Sequence, residues 1–198
     1  MKQSEQIKHM EDHEIRTQLI ISQFVLIFIS LAGSFILFDS FFRDWLRLFA
    51  WDNQDILYYG VLPGLIIVGV DLLLIRFLPP SYYDDGGIND RLFRNQSVTF
   101  IILISLMVAF AEEILFRGVL QTSFGYLIAS FIFALVHLRY LRKPVLLIGV
   151  LLISFYIGYL FHLTENLVVT IVAHFIVDCL LGLVIRLKSE VGKNESTG

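Results

Sequence analysis

The sequence predicts an all-α fold: a polytopic membrane helix bundle of about six transmembrane helices with both termini cytoplasmic. Composition is the first observation behind this. The 198 residues are 57% hydrophobic with a mean hydropathy of +0.75, against roughly 45 to 50% apolar in a soluble domain, and a water-soluble fold could not hide that much apolar surface. The second is segmentation, because separate stretches of about 18 residues or more run almost free of charge, each long enough to cross the ~30 Å hydrocarbon core. The third is the layout of charge. The net charge of -3 is spread over termini and connections while the spans are nearly empty, and nothing in it suggests a nucleic-acid partner.

Residues 1–17 form a polar tail with Glu5, Glu11, Asp12 and Glu14. This is unlike the basic start of a cleaved signal peptide, so the first span is expected to stay in the mature protein. That span runs from Gln18 to Phe38. An amphipathic connection, Phe41 to Trp51, places Arg43, Asp44 and Arg47 among aromatics and suits the interface plane. The second span, Ile56 to Leu78, ends at Pro79-Pro80-Ser81-Tyr82-Tyr83-Asp84-Asp85-Gly86-Gly87, where prolines and glycines stop a helix. Ser97 to Phe124 is the third, Tyr126 to about Leu141 the fourth, Pro144 to His162 the fifth with its proline in the favoured first turn, and Glu165 to Leu187 the last.

Orientation follows from the basic residues, which are retained on the cytoplasmic side. With the N-terminus inside, all fifteen fall there except Arg43, Arg47 and Arg117, the set comprising Lys2, Lys8, Arg16, Arg76, Arg91, Arg94, Arg139, Arg142, Lys143, Arg186, Lys188 and Lys193.

An ionisable residue inside a span costs several kcal/mol and is a functional candidate by default. Here such residues form three clusters: Glu112-Glu113 with Arg117, then Phe133 with His137, then His174 with Asp178. At about 1.5 Å of rise per residue, Glu112 and His137 lie about equally far from the turn near Gly125, roughly 18 to 20 Å, and His174 and Asp178 lie about 15 to 21 Å from the turn near Thr164. All four converge on one layer. Glu113 and Arg117 share a helical face, as do His174 and Asp178, whereas Glu112 points about 100° away from Glu113. Glu113 is therefore expected to pair with Arg117 and support the structure, leaving Glu112 to face a cavity. A carboxylate and two imidazoles around a wet pocket can activate water: Glu112 as base, His137 holding the water, His174 and Asp178 on the wall where an oxyanion forms.

The pattern E-E-x-x-x-R, F-x-x-x-H and H-x-x-x-D, each on a span between about Phe100 and Leu183, resembles the CPBP or Abi family of intramembrane proteases. That family includes prenyl-protein CAAX endopeptidases and bacterial proteins of bacteriocin processing or self-immunity. The resemblance implies a glutamate-dependent peptidase with Glu112 as general base, His137 positioning water, and His174 and Asp178 on the oxyanion side. Asp178 stands where many members have asparagine. An ionised aspartate cannot donate, so Asp178 either orients His174, carries a proton, or serves a metal.

The resulting division is a tail over 1–17, a two-helix scaffold with its loop over 18–96, a catalytic four-helix core over 97–187 and a second tail over 188–198. Phe133 reads as packing, one of 18 phenylalanines. His162 reads as interfacial, His9 and His13 as solvated, and the single cysteine, Cys179, as a small buried apolar residue that can form no intramolecular disulfide. Asp71, isolated in the second span, has no assigned role. No cofactor is expected. Zinc on the histidines and carboxylates is the rival chemistry, although H-E-x-x-H is missing. The expected partners are the lipid bilayer and a membrane-protein or lipid-associated peptide substrate, and the expected location is a bacterial plasma membrane. Competing readings are a non-catalytic membrane adaptor or immunity factor on the same fold, and a small proton-coupled transporter.

Overall fold

The computed structural model describes residues 10–137, 140 and 143–196. Lys2, Glu5, Lys8, His9, Arg139, Leu141 and Arg142 lie outside the described residues. Among the described residues every regular element is helical.

Helix α1, Asp12–Leu37, starts six residues earlier than the apolar run because its polar first turn is capped: Glu14 accepts from the Glu11 N–H at 2.7 Å. It buries a narrow stripe of Gln23, Ser30 and Ser34 and leaves Phe24, Phe28 and Phe35 exposed to lipid. Helix α2, Phe41–Leu48, is the expected amphipathic connection. Its Trp45 donates to Ser34 Oγ at 3.1 Å, and with Leu48 it packs on Ile114, Phe161, Leu167 and Ile171, while Phe42 and Leu46 point outward.

Helix α3, Asn53–Phe77, is capped by Asp52, which accepts from the N–H groups of Gln54 and Asp55. A loop turning on Gly86 and Gly87, both at positive φ, leads to α4, Ile88–Phe93. Helix α5, Val98–Phe124, is capped by Ser97 and wound as a π-helix over Ile114–Gln121. Gly125, at φ 89°, reverses the chain into α6, Tyr126–Val136. Helix α7 covers Pro144–Thr164, and α8 runs over Leu167–Ser196, through most of the expected C-terminal tail.

Among the described residues, five helices, α1, α3, α5, α7 and α8, are long and apolar enough to cross a membrane. Helix α6 is apolar but short. It ends at Val136 instead of near Leu141, so at about 1.5 Å per residue it reaches only about half-way through the bilayer. The cause is His137, whose Nδ1 lies 2.8 Å from the Phe133 carbonyl oxygen, the acceptor the next helical turn would have used.

The bundle has two ends. At one, Arg91 of α4 pairs with Asp12 of α1 at 2.7 Å and Arg186 of α8 donates to the Gln96 carbonyl at 2.7 Å. At the other, Asn166 donates to the Ala50 carbonyl at 2.7 Å and Arg47 of α2 pairs with Glu165. We call these the α4 end and the α2 end.

Candidate active site

Helix α5 delivers two adjacent carboxylates at the last turn before its π stretch. Their surroundings differ. Glu113 is wholly buried, and its Oε1 accepts from Arg117 Nη1 at 3.2 Å and from His174 Nδ1 at 2.8 Å. Glu112 is turned towards a partly open space, with its side chain 15% exposed, and its Oε2 lies 4.0 Å from His174 Nε2. The expected division between the two is present, with one addition that the sequence did not reveal. Glu113 touches the histidine of α8 as well as Arg117.

Helix α8 contributes His174 and, one turn on, Asp178, whose Oδ2 is 3.5 Å from His174 Nε2. The two nitrogens of one imidazole thus look in opposite directions, Nδ1 into the buried ion pair and Nε2 towards Glu112 and Asp178. The close fit of α8 depends on α3, where a Cβ added to Gly64 would lie 2.9 Å from the Ala173 carbonyl oxygen. Small residues let helix backbones approach in this way.

Arg117, 1% exposed, is over-determined. Besides Glu113 it donates to the Ser154 carbonyl of α7 at 3.0 Å, and its guanidinium carbon stands 4.5 Å from the Phe133 ring centre. Ser154 Oγ in turn donates to the Ser130 carbonyl of α6 at 3.0 Å. Phe133 does more than fill space. Its ring centre is 4.8 Å from His137 and 6.2 Å from His174, which makes it the wall between the two imidazoles.

His137 reaches the group from the end of α6. Because its Nδ1–H donates to a carbonyl, Nε2 is left as the free ring nitrogen. It is half-buried, with its ring against Phe133. Glu112, Glu113, His174 and Asp178 are thus brought into direct proximity, and His137 joins them across Phe133. Asp71, His162 and Cys179 do not join this group. Ser130 and Ser154 were missed, since a serine in a span more often bonds its own helix, as Ser30 does to the Leu26 carbonyl. Among the described residues, no group of three His, Cys, Asp or Glu side chains has the geometry to hold a metal ion.

Three comparisons bear on this arrangement. A relative, the uncharacterized protein YpbD of Bacillus subtilis (strain 168), is 44% identical over 168 residues, covering 84% of this chain and 87% of the relative. No solved structure matches. The family model for type II CAAX prenyl endopeptidases, Rce1-like, matches residues 94–180, the stretch that contains every member of the cluster from Glu112 to Asp178. With a protease family matched over the polar cluster and five helices able to cross a bilayer, this multi-pass membrane protein belongs to the Rce1-like family of type II CAAX prenyl endopeptidases.

Proposed function

We propose that the chain is a glutamate-dependent intramembrane endopeptidase that hydrolyses a peptide bond at or within the bilayer, without a metal or other cofactor. The observation that carries this reading is the difference between the two adjacent carboxylates, one locked in a buried ion pair and the other partly exposed beside His174 Nε2. Glu112 takes a proton from a water molecule that the free nitrogen of His137 helps to hold. The resulting hydroxide attacks the scissile carbonyl carbon, and the carbonyl electron pair moves onto oxygen. That oxyanion receives a hydrogen bond from His174 Nε2–H, while Glu113 fixes the ring through Nδ1. Asp178, 3.5 Å from the same nitrogen, orients the ring. Glu112 then returns its proton to the amide nitrogen as the C–N bond breaks.

The substrate is a membrane-protein or lipid-associated peptide, and the location is a bacterial plasma membrane with both termini cytoplasmic. The family is named for CAAX prenyl endopeptidases, so a prenylated CAAX peptide is the first probe. The test is cleavage of a fluorescent prenylated peptide and of a panel of membrane-anchored peptides in lipid nanodiscs. Glu112→Ala, His137→Ala and His174→Ala should each lose on the order of 10²-fold or more of the activity, the usual scale for an acid–base group. A wild type that cleaves nothing, or a Glu112→Ala variant that works as well, would favour an adaptor or immunity role. Activity removed by chelator and restored by zinc would replace the metal-free mechanism, and flux driven by a pH gradient would indicate a transporter.

A further inference from the structure

Helix α1 lies outside the family-matched stretch and presents mostly lipid-facing side chains, yet it carries one polar group that its own packing does not explain. Gln23 is 2% exposed, and its Oε1 is fully buried with no hydrogen-bond partner among the described residues. The amide's orientation is fixed by its neighbour. Ser22 gives its proton to the Leu19 carbonyl at 2.7 Å, so Ser22 Oγ can only accept, and it accepts from Gln23 Nε2 at 3.1 Å. The free end is therefore the carbonyl oxygen. The other buried polar residues of this stripe behave differently, since Ser30 and Ser34 donate to carbonyls of their own helix.

Register places Gln23 level with the site. A Cβ on Gly33 would meet Val119 at 3.4 Å, and Leu26 packs on the cluster of Leu115, Phe116 and Phe133. Helices α1 and α5 thus run side by side in the same direction. One turn from Leu26 towards the α4 end lies Gln23, and one turn from Phe116 the same way lies Glu112. The two come level.

A buried acceptor without a donor costs stability. A peptide bond about to be cut must be unwound, which frees its backbone N–H groups in surroundings where every unpaired one is costly. We infer that Gln23 Oε1 is a substrate-binding group that accepts a hydrogen bond from a backbone N–H of the peptide lying beside Glu112. This rests on the peptidase reading of the same site.

The experiment separates the two. Binding of the fluorescent prenylated peptide is measured in nanodiscs on the inactive Glu112→Gln variant, alone and combined with Gln23→Met, which keeps the length of the side chain and removes the acceptor. The worth of one neutral hydrogen bond predicts a rise in Kd of roughly fivefold to tenfold. Gln23→Met alone should leave Tm near wild type, because the unpaired buried oxygen it removes offsets the Nε2–Ser22 bond it loses, and Gln23→Glu, which keeps an acceptor oxygen there, should retain tighter peptide binding than Gln23→Met. Equal binding by both forms, or failure of the Glu112→Gln variant to bind, would overturn the inference. Cleavage by the wild type is scored separately, so its absence would count against the peptidase reading while the binding arm still decides the role of Gln23.

Discussion

Glu112 and Glu113 are chemically identical and adjacent, yet the roughly 100° that a helix turns per residue gives one to solvent and the other to the core. That much follows from the sequence alone. What does not follow is the bond from Glu113 to His174, because 61 residues separate them and only the α5–α8 packing brings them to 2.8 Å. The two carboxylates should therefore fail differently. Glu112→Gln leaves no buried partner stranded, so it should abolish cleavage and leave Tm near wild type. Glu113→Gln leaves the buried Arg117 without its charge partner, a loss of about 3 to 5 kcal/mol. It also releases His174, so it should lower both Tm and activity. Thermal melts in detergent beside the cleavage assay read both quantities, and a Glu113→Gln protein with wild-type Tm would refute the assigned support. Gln23 and Ser154 show the limit of reading at this scale, since one polar residue in an apolar run gives no sign of whether its partner is its own helix, a neighbour or a substrate.

At the scale of elements, the five long helices could be read from length and composition, and the half-length of α6 could not. Periodicity continues through Leu138, but the His137 side chain takes the Phe133 carbonyl and ends the helix at mid-depth, which also presents the ring to the site. The π winding over Ile114–Gln121 is similarly silent in the sequence, and nearly all of it is buried against neighbouring helices. One contact is with Trp45 of α2, packed tightly on Gly118: a Cβ there would stand 3.0 Å from the indole ring, closer than side chains ordinarily sit. Gly118→Val should therefore push α2 off the bundle at a cost of about 1 to 3 kcal/mol. Expected readouts are a lower Tm, a shift in tryptophan fluorescence and reduced cleavage, since Arg117 is the neighbouring residue. Gly149→Val is the control, as a Cβ there meets nothing within 4 Å. Equal behaviour of the two variants would show that the α2 contact does not hold the π stretch in place.

For the whole molecule, the sequence groups its basic residues on one side, and the structure gives that grouping a physical surface. Arg91 and Arg186, with Arg16, Arg76, Arg94 and Lys143, come together at the α4 end, while Arg43 and Arg47 of α2 lie at the other, Arg47 paired with Glu165. Positively charged flanks resist translocation across a plasma membrane, so we expect the α4 end, and with it both termini, in the cytoplasm. Helix α2, with Phe42 and Leu46 outward, then lies in the outer interface. The prediction is open to single-cysteine labelling in intact cells after Cys179, the sole native cysteine, is replaced by alanine. Asn53→Cys, at the α2 end, should react with a membrane-impermeant maleimide added outside, and Tyr82→Cys, in the short helical turn Pro80–Tyr83 between α3 and α4, should react only after the cells are opened. The reverse pattern would place the α4 end outside and remove the positive-inside argument.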